Sequence, residues 1–241
     1  MIDLHCHILP GIDDGAADMD DSVAMARIAA HDGIEAVCAT PHIRHDHDVR
    51  VHGLAERVAR LNAAVQFAGV PVRVLPGGEL AATFVAGASD AELGAITLGG
   101  GGRWLLLEPG PGPLTDSLDD AVACLERRGY RSVIAHPERH LAADMRERLA
   151  RLVDAGALVQ VTADTLLDPR TRDGMLELAA ARLVHVLGSD AHSSRYGRAP
   201  VLAAALRVLG ELCDNLDWVA ERAPAAIVSG DEVEAPWSEL A

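Results

Sequence analysis

Short apolar runs alternate with stretches of helical periodicity along the whole chain, the pattern of parallel strands that are each followed by a helix. Seven runs read as strands, at residues 2–5, 35–40, 72–75, 104–107, 132–135, 158–161 and 184–187. Helices are predicted between most of them. Segment 20–32 opens on aspartates suited to capping, and segment 141–153 spaces Leu141, Met145, Leu149 and Leu152 so that they share one helical face. The glycine run at 99–102 reads as a turn, because Arg103 and the strand-like WLLLE follow it where a phosphate loop needs a helix N-terminus. No internal repeat or Ser/Pro-rich linker divides the chain, so a single domain is expected over 1–230, with a polar tail at 231–241.

The polar residues are not scattered over this pattern. They stand just past the C-terminal ends of the apolar runs: His5-Cys6-His7 after the first, Thr40-Pro41-His42 after the second, Glu79, Glu108 and His136 after the next three, and Asp190-Ala191-His192 after the last. In a barrel of parallel strands that rim is where active sites are built. On extended backbone residues i and i+2 point the same way, so His5 and His7 converge while Cys6 faces the other side, and Asp190 and His192 repeat the geometry. His5, His7, His42, His136 and His192, with Glu79, Glu108, Asp190 and an aspartate of the PGIDDG loop, make nine candidate ligands, too many for one ion and enough for two or three. Imidazole and carboxylate without thiolate suit manganese, iron or zinc.

Composition narrows the function classes. The 241 residues, 49% apolar and 3% aromatic, fit one soluble domain of α/β-barrel size or two small ones. With 21 basic against 36 acidic residues the formal charge is −15, and without a basic stripe nucleic acid is excluded as a partner. All 21 cations are arginine, which excludes a Schiff-base lysine, a P-loop lysine and a carbamylated-lysine metal bridge. Cys6, Cys38, Cys124 and Cys213 form no CxxC, and no charged n-region with an apolar h-region opens the chain, so a reduced, cytoplasmic protein is expected. No apolar run is long enough for membrane insertion.

The segments MIDLHCHILPGIDDGAADMDDS, ATPH at 39–42, GGEL at 77–80, LEP at 107–109, AHPER at 135–139 and GSDAH at 188–192 resemble the polymerase and histidinol phosphatase (PHP) family. They are most similar to its bacterial protein-tyrosine-phosphatase branch, associated with capsular and exopolysaccharide synthesis. The resemblance runs from residue 1 to about 200. It implies an α/β fold, a distorted (β/α)7 barrel with a trinuclear metal site at the C-terminal ends of the strands. Carried over residue by residue, it places one ion with His5, His7, Glu79 and Asp190, a second with Glu79, Glu108 and His136, and a third with Asp14, His42 and His192. It alone singles out Asp14; Asp13 reads as turn chemistry beside Gly11 and Gly15.

The implied cofactors are two to three divalent ions, manganese first, with iron or zinc as alternatives. The implied function is hydrolysis of phosphotyrosine in protein by metal-activated hydroxide, the partner being a tyrosine autokinase of polysaccharide synthesis or export. Two other readings stay open: a phosphatase for a small monoester such as histidinol phosphate, and a non-catalytic metal-binding regulator.

Arg139 reads either as a surface ion pair with Glu138 or another acid, or, through the resemblance, as a phosphate contact. Arg198, in the Gly197-Arg198 pair after GSDAH, is a second candidate, and Arg195 competes with it. In the 43–52 loop His45 is assigned a supporting or proton-transfer role, while His47 and His52 are left at the surface. His31 and His185 read as structural, and His140 replaces the aromatic residue frequent after HPER in this branch. Cys38 to Arg44 fits the Cx5R pattern of cysteine-dependent phosphatases, but Pro41 lacks an N–H for the phosphate cradle and Cys38 lies in an apolar strand, so the match is rejected.

Overall fold

The computed structural model describes residues 1–140, 142–211 and 215–236. Among them the strands are β1 (Ile2–Cys6), β2 (Ala36–Ala39), β3 (His42–Ile43), β4 (Arg73–Leu75), β5 (Glu79–Ala81), β6 (Trp104–Glu108), β7 (Arg131–Ala135), β8 (Leu158–Thr162) and β9 (Val186–Gly188). All strand pairs are parallel. They form one sheet in the order β1-β2-β4 and a second in the order β3-β5-β6-β7-β8-β9. Leu4, Leu105, Val133, Val159 and Val186 are fully buried, as expected of parallel strands covered on both faces.

The sequence pattern joins what the structure separates in two places. The second predicted run ends at Ala39, and the chain crosses through Thr40 and Pro41 into β3 of the other sheet. The third ends at Leu75 and crosses through Pro76, Gly77 and Gly78 into β5. Each crossing contains a proline, which brings no N–H to a ladder. Its consequence is local: β3 and β5 pair with His42 level with Glu79, and Ala81 of β5 pairs with Glu108. At the other side of β1 the two sheets are joined by a parallel bridge between Cys6 and Ala191, where Asp190 N–H donates to His5 C=O and His7 N–H to Ala191 C=O, each at 2.8 Å.

Helix α1 (Met19–His31) starts one residue before its predicted position, with Asp18 accepting from Asp21 N–H at 2.8 Å as N-cap. The helix expected at 141–153 is found at Met145–Asp154, burying Met145, Leu149 and Leu152; Leu141 lies outside the described residues. The glycine run forms a turn in which a Cβ on Gly99 would stand 2.4 Å from Val228 Cβ. Residues 231–235 of the expected tail run along the molecule, with Asp231 and Glu234 carbonyls accepting from Trp104 and Trp218 indoles at 2.8 and 3.0 Å; residues 237–241 lie outside the described residues, as does Cys213. No described helix is long and apolar enough to cross a membrane.

Candidate metal centre

Nine side chains singled out from the sequence come together at and beyond these strand ends. Glu79, at the start of β5 and 1% exposed, sits at the middle. Its Oε1 is 2.7 Å from His136 Nε2, and its Oε2 is 2.8 Å from His42 Nδ1, 3.3 Å from His7 Nε2 and 3.5 Å from His5 Nε2. Asp190 Oδ1 faces His5 Nε2 at 3.4 Å and His7 Nε2 at 3.5 Å. Toward solvent, Asp14 Oδ1 lies 3.3 Å from His42 Nε2 and 3.6 Å from His192 Nε2.

Among the described residues, four groups place one donor atom from each member within 4.8 Å of the others: His7-Asp14-His42-His192, His5-His136-Asp190, His5-His7-Glu79 and His42-Glu79-Glu108. Every one of the nine belongs to at least one group. The groups differ in membership from the expected ligand sets: His7 also joins Asp14, His42 and His192, and Asp190 stands with His136 instead of with Glu79. The β3–β5 register brings His42 alongside Glu79 and Glu108, where His136 was expected, while His136 meets Glu79 through its other oxygen and joins His5 and Asp190.

Tautomers are set from behind. His5 Nδ1 donates to Gln160 Oε1 at 2.9 Å, His7 Nδ1 to Asp13 Oδ2 at 2.8 Å and His192 Nδ1 to Asp190 C=O at 2.9 Å. Each ring therefore presents Nε2 to the site, the arrangement in which a hydrogen-bonded imidazole ligates a metal. His136 and Asp190 adopt left-handed backbone with φ of 33° and 49°, conformations that non-glycine residues enter at a cost. Both follow the end of a strand and aim their side chains inward. Gly15 lies so close to His7 that a Cβ there would stand 2.2 Å from its carbonyl oxygen, so the Asp13–Asp14 loop can pack onto His7 only with glycine at 15.

The electrostatics call for cations. Burial alone would lower the pKa values of His5 and His7, yet the neighbouring carboxylates Glu79, Asp190 and, for His7, Asp13 raise both. Glu79 is the reverse: burial would raise it, and His5, His136 and His42 hold it well below the usual carboxylate range. Asp13 is likewise held at about 2 by His7 against its own burial. His192 is pushed down to about 4, first by burial and then by the charge of His7. The carboxylates that favour a proton on His5 and His7 would favour a divalent ion in the same way.

Glu79 Oε2 and His42 Nδ1, although 2.8 Å apart, are not aligned for a hydrogen bond, and His136 Nδ1 has no hydrogen-bond partner among the described residues. Buried donors left in this way, in an N/O set without thiolate, fit hard or borderline divalent ions.

Two arginines stand over this cluster. Arg139 pairs with the Asp190 carboxylate, while Glu138 turns inward and accepts from Thr162 N–H at 2.9 Å; the ion pair between neighbours considered from the sequence does not form. Arg198 reaches Asp190 Oδ2 at 2.9 Å and its carbonyl at 2.8 Å, whereas Arg195 is directed to Asp18 at 3.5 Å. Beside them opens a cavity of about 610 Å³, bordered by Arg44, His45, Glu108, His136, Arg139 and His140. His45 stands at its wall with its ring against Phe84, centroids 5.0 Å apart. His47, expected at the surface, packs on His42 at 4.9 Å and contacts Arg44 at 3.2 Å, because the loop folds back over the site; His52 is exposed.

Three participants have no site role in the sequence reading. Asp13 does bond Gly15 N–H as a turn residue, but its second oxygen holds His7 and the His42 N–H. Arg44 meets Glu108 at 3.1 Å. Gln160 lies in β8, the predicted run that lacked a rim residue, and a polar side chain inside LVQVT was the available signal.

Cys38 is fully buried, and burial pushes its thiol up to about 12. It can neither ionise near neutral pH nor reach the cavity. Cys38→Ser is therefore expected to leave turnover within about twofold of wild type, since a side chain that makes no contact with the reacting groups takes no transition-state stabilisation with it. Loss of turnover at unchanged metal content would restore the cysteine mechanism.

Residues 1–216 match the family described as capsular polysaccharide synthesis, CpsB/CapC. Tyrosine-protein phosphatase YwqE of Bacillus subtilis (strain 168) is 35% identical over 202 residues, covering 80% of this chain and 78% of that protein. Tyrosine-protein phosphatase CpsB of Streptococcus pneumoniae is 24% identical over 203 residues, covering 80% and 83%. A crystal structure from work on YwqE and CpsB, described there as unique metal-dependent tyrosine phosphatases, aligns with a TM-score of 0.83 at 30% identity over 97% of this chain and 96% of that one. Dihydropyrimidinase from Brevibacillus agri NCHU1002, with a TM-score of 0.59 at 12% identity over 98% of this chain and 72% of its own, shares the fold alone.

Proposed function

The chain belongs to the CpsB/CapC family of capsular polysaccharide synthesis, and from that premise we propose that it is a metal-dependent phosphatase that hydrolyses phosphotyrosine in protein, its substrate a tyrosine autokinase of polysaccharide synthesis or export. Two to three divalent ions, manganese first, would be held by His5, His7, Asp14, His42, Glu79, Glu108, His136, Asp190 and His192. We read the two parallel sheets as the arcs of a distorted (β/α)7 barrel, a reading supported by the bridge between Cys6 and Ala191. Domain 1–230 is taken as the catalytic unit.

Support for the activity comes above all from one juxtaposition. A buried carboxylate, Glu79, is shared by four histidines, and two guanidiniums meet on the adjoining Asp190, one of them, Arg139, bordering an open cavity. When bound, divalent ions acidify water and neutralise phosphoryl oxygens. Arg139 and Arg198 keep part of their donor forks free, with side chains 40% and 33% exposed, and a planar fork matches two non-bridging phosphate oxygens. The cavity is within the size range of small-ligand sites and accepts an aromatic ring beside the cluster. A phenolate, whose parent acid has a pKa of about 10, leaves with little protonation. We assign to His45, on the cavity wall, such proton transfer as is needed.

The test compares a phosphotyrosine peptide with histidinol phosphate before and after chelation. Turnover of the peptide, abolished by chelation and restored by manganese, is expected. Preference for histidinol phosphate would move the substrate to a small alkyl ester, and turnover of neither would leave the non-catalytic regulator.

A further inference from the structure

Most of the cluster is set by strands, but one part is not. Asp14 lies in the segment between β1 and α1, and His192 in the segment after β9; they meet at 3.6 Å. Their side chains are 54% and 18% exposed, against 1% for Glu79 and Asp190, so the group His7-Asp14-His42-His192 is the most open of the four. The bridge between Cys6 and Ala191 and the Ala16 N–H bond to His7 C=O at 2.9 Å hold the near ends of these two segments to β1, but no strand pairing includes Asp14 or His192 themselves.

Asp21, on the first turn of α1 and buried, joins them. Its Oδ1 accepts from Ser194 N–H at 2.9 Å and Ser194 Oγ–H at 2.5 Å. Its Oδ2 accepts from Ser193 Oγ–H at 3.0 Å and from Ala17 N–H at 3.3 Å. Ala17 closes the segment that carries Asp13 and Asp14; Ser193 and Ser194 follow His192 directly and lead to Arg198. One carboxylate thus clasps both loops.

Asp190 is anchored independently. Ser189 donates to Asp3 through its N–H at 3.0 Å and its hydroxyl at 2.5 Å, and Asp190 and Ala191 bond the β1 backbone. The hold on the chain therefore divides at residue 191, with β1 and Asp3 before it and Asp21 after it.

We propose that Asp21 is a positioning residue that sets the separation of Asp14 from His192, and thereby governs divalent-cation binding at the group His7-Asp14-His42-His192 without governing the groups built on Glu79. This rests on the reading above that the clusters hold divalent ions. Asp21 touches neither ion nor substrate; it acts through the two loops.

Asp21→Asn is the sharp variant. Both carboxylate oxygens accept a backbone N–H, from Ser194 and from Ala17, so the amide –NH2 must face a donor whichever way the side chain turns. Manganese titration followed by elemental analysis is expected to show one equivalent weakened by about 10- to 100-fold, the range for residues that orient metal ligands, with the remaining equivalents bound as in wild type. The kcat on a phosphotyrosine peptide should fall in step and recover at excess manganese. A purely structural role would lower the thermal midpoint without separating one equivalent from the rest.

The Ser193→Ala/Ser194→Ala double variant removes two hydroxyl donors but keeps Asp21 and both backbone bonds. It should weaken the same equivalent to a smaller extent, and it decides the matter if Asp21→Asn does not fold. Wild-type affinity at every equivalent in a folded variant, or uniform weakening of all of them, overturns the proposal. A wild-type protein that binds no manganese overturns the metal reading first and this inference with it.

Discussion

Glu79→Ala is expected to lose more than one ion per chain and to reduce phosphatase turnover by more than about 10³-fold, because a bound ion supplies several kcal/mol of charge stabilisation and here more than one is removed. Glu79 belongs to two of the four candidate groups and contacts His136, a member of a third. Each of the other ligand carboxylates, Asp14, Glu108 and Asp190, belongs to one group. The variant also leaves His5, His7, His42 and His136 around a void without their shared anion, so the metal-free form should be destabilised. Glu79→Gln separates the two effects, since it fills the space without the charge.

The sign of the proton linkage gives a further readout of the same site. His5 and His7 have raised pKa values in the metal-free fold, so the stability they contribute is present below the ordinary histidine range and lost as pH rises through the raised values. Glu79 is held low, so its contribution is present above the ordinary carboxylate range and lost as pH falls through its depressed value. Chelation near neutral pH should then take up protons as ions leave His5 and His7, and Glu79→Ala should diminish that uptake. A variant with a full complement of ions and wild-type turnover would end the bridging role of Glu79.

The strand-end rule exposed the candidate ligands because its physics is local. Alternation along extended backbone sends His5 and His7 to one side, and a polar residue just past an apolar run marks the rim. What stayed hidden depends on register or on distance in the chain. The breaks at Pro41 and at Pro76 to Gly78 put His42 level with Glu79, and no periodicity signals a step between sheets. Asp13 supports His7 from six residues away, Gln160 supports His5 from 155 residues away, and Asp21 reaches 172 and 173 residues ahead to the two serines. The left-handed backbone of His136 and Asp190 was equally hidden, since neither residue type advertises a positive φ as glycine does. Arg44 was in view only as the last residue of a rejected pattern. It borders the cavity paired with Glu108 and Asp46, while Cys38 is buried away from it.

Arg139→Ala is expected to lower kcat/KM on a phosphotyrosine peptide by about 10² or more with ion content unchanged, the loss usual for one preorganised stabiliser of transition-state charge. The prediction turns on how the two arginines divide their work. Arg198 binds both the carboxylate and the carbonyl of Asp190, at 2.9 and 2.8 Å, so much of its fork is committed to the loop. Arg139 meets Asp190 through one terminal nitrogen, Nη2, and borders the cavity with the rest of its head exposed. Its removal leaves Asp190 paired with Arg198 and facing His5 and His7, which is why the ions should stay. Arg139→Lys should recover only part of the rate, because an ammonium keeps the charge and loses the planar fork. Steady-state kinetics with metal analysis of each variant decides it. An alanine variant near wild-type kcat/KM would reduce Arg139 to a partner of Asp190, and an equal loss of ions and rate would assign it to holding the cluster instead of the phosphoryl group.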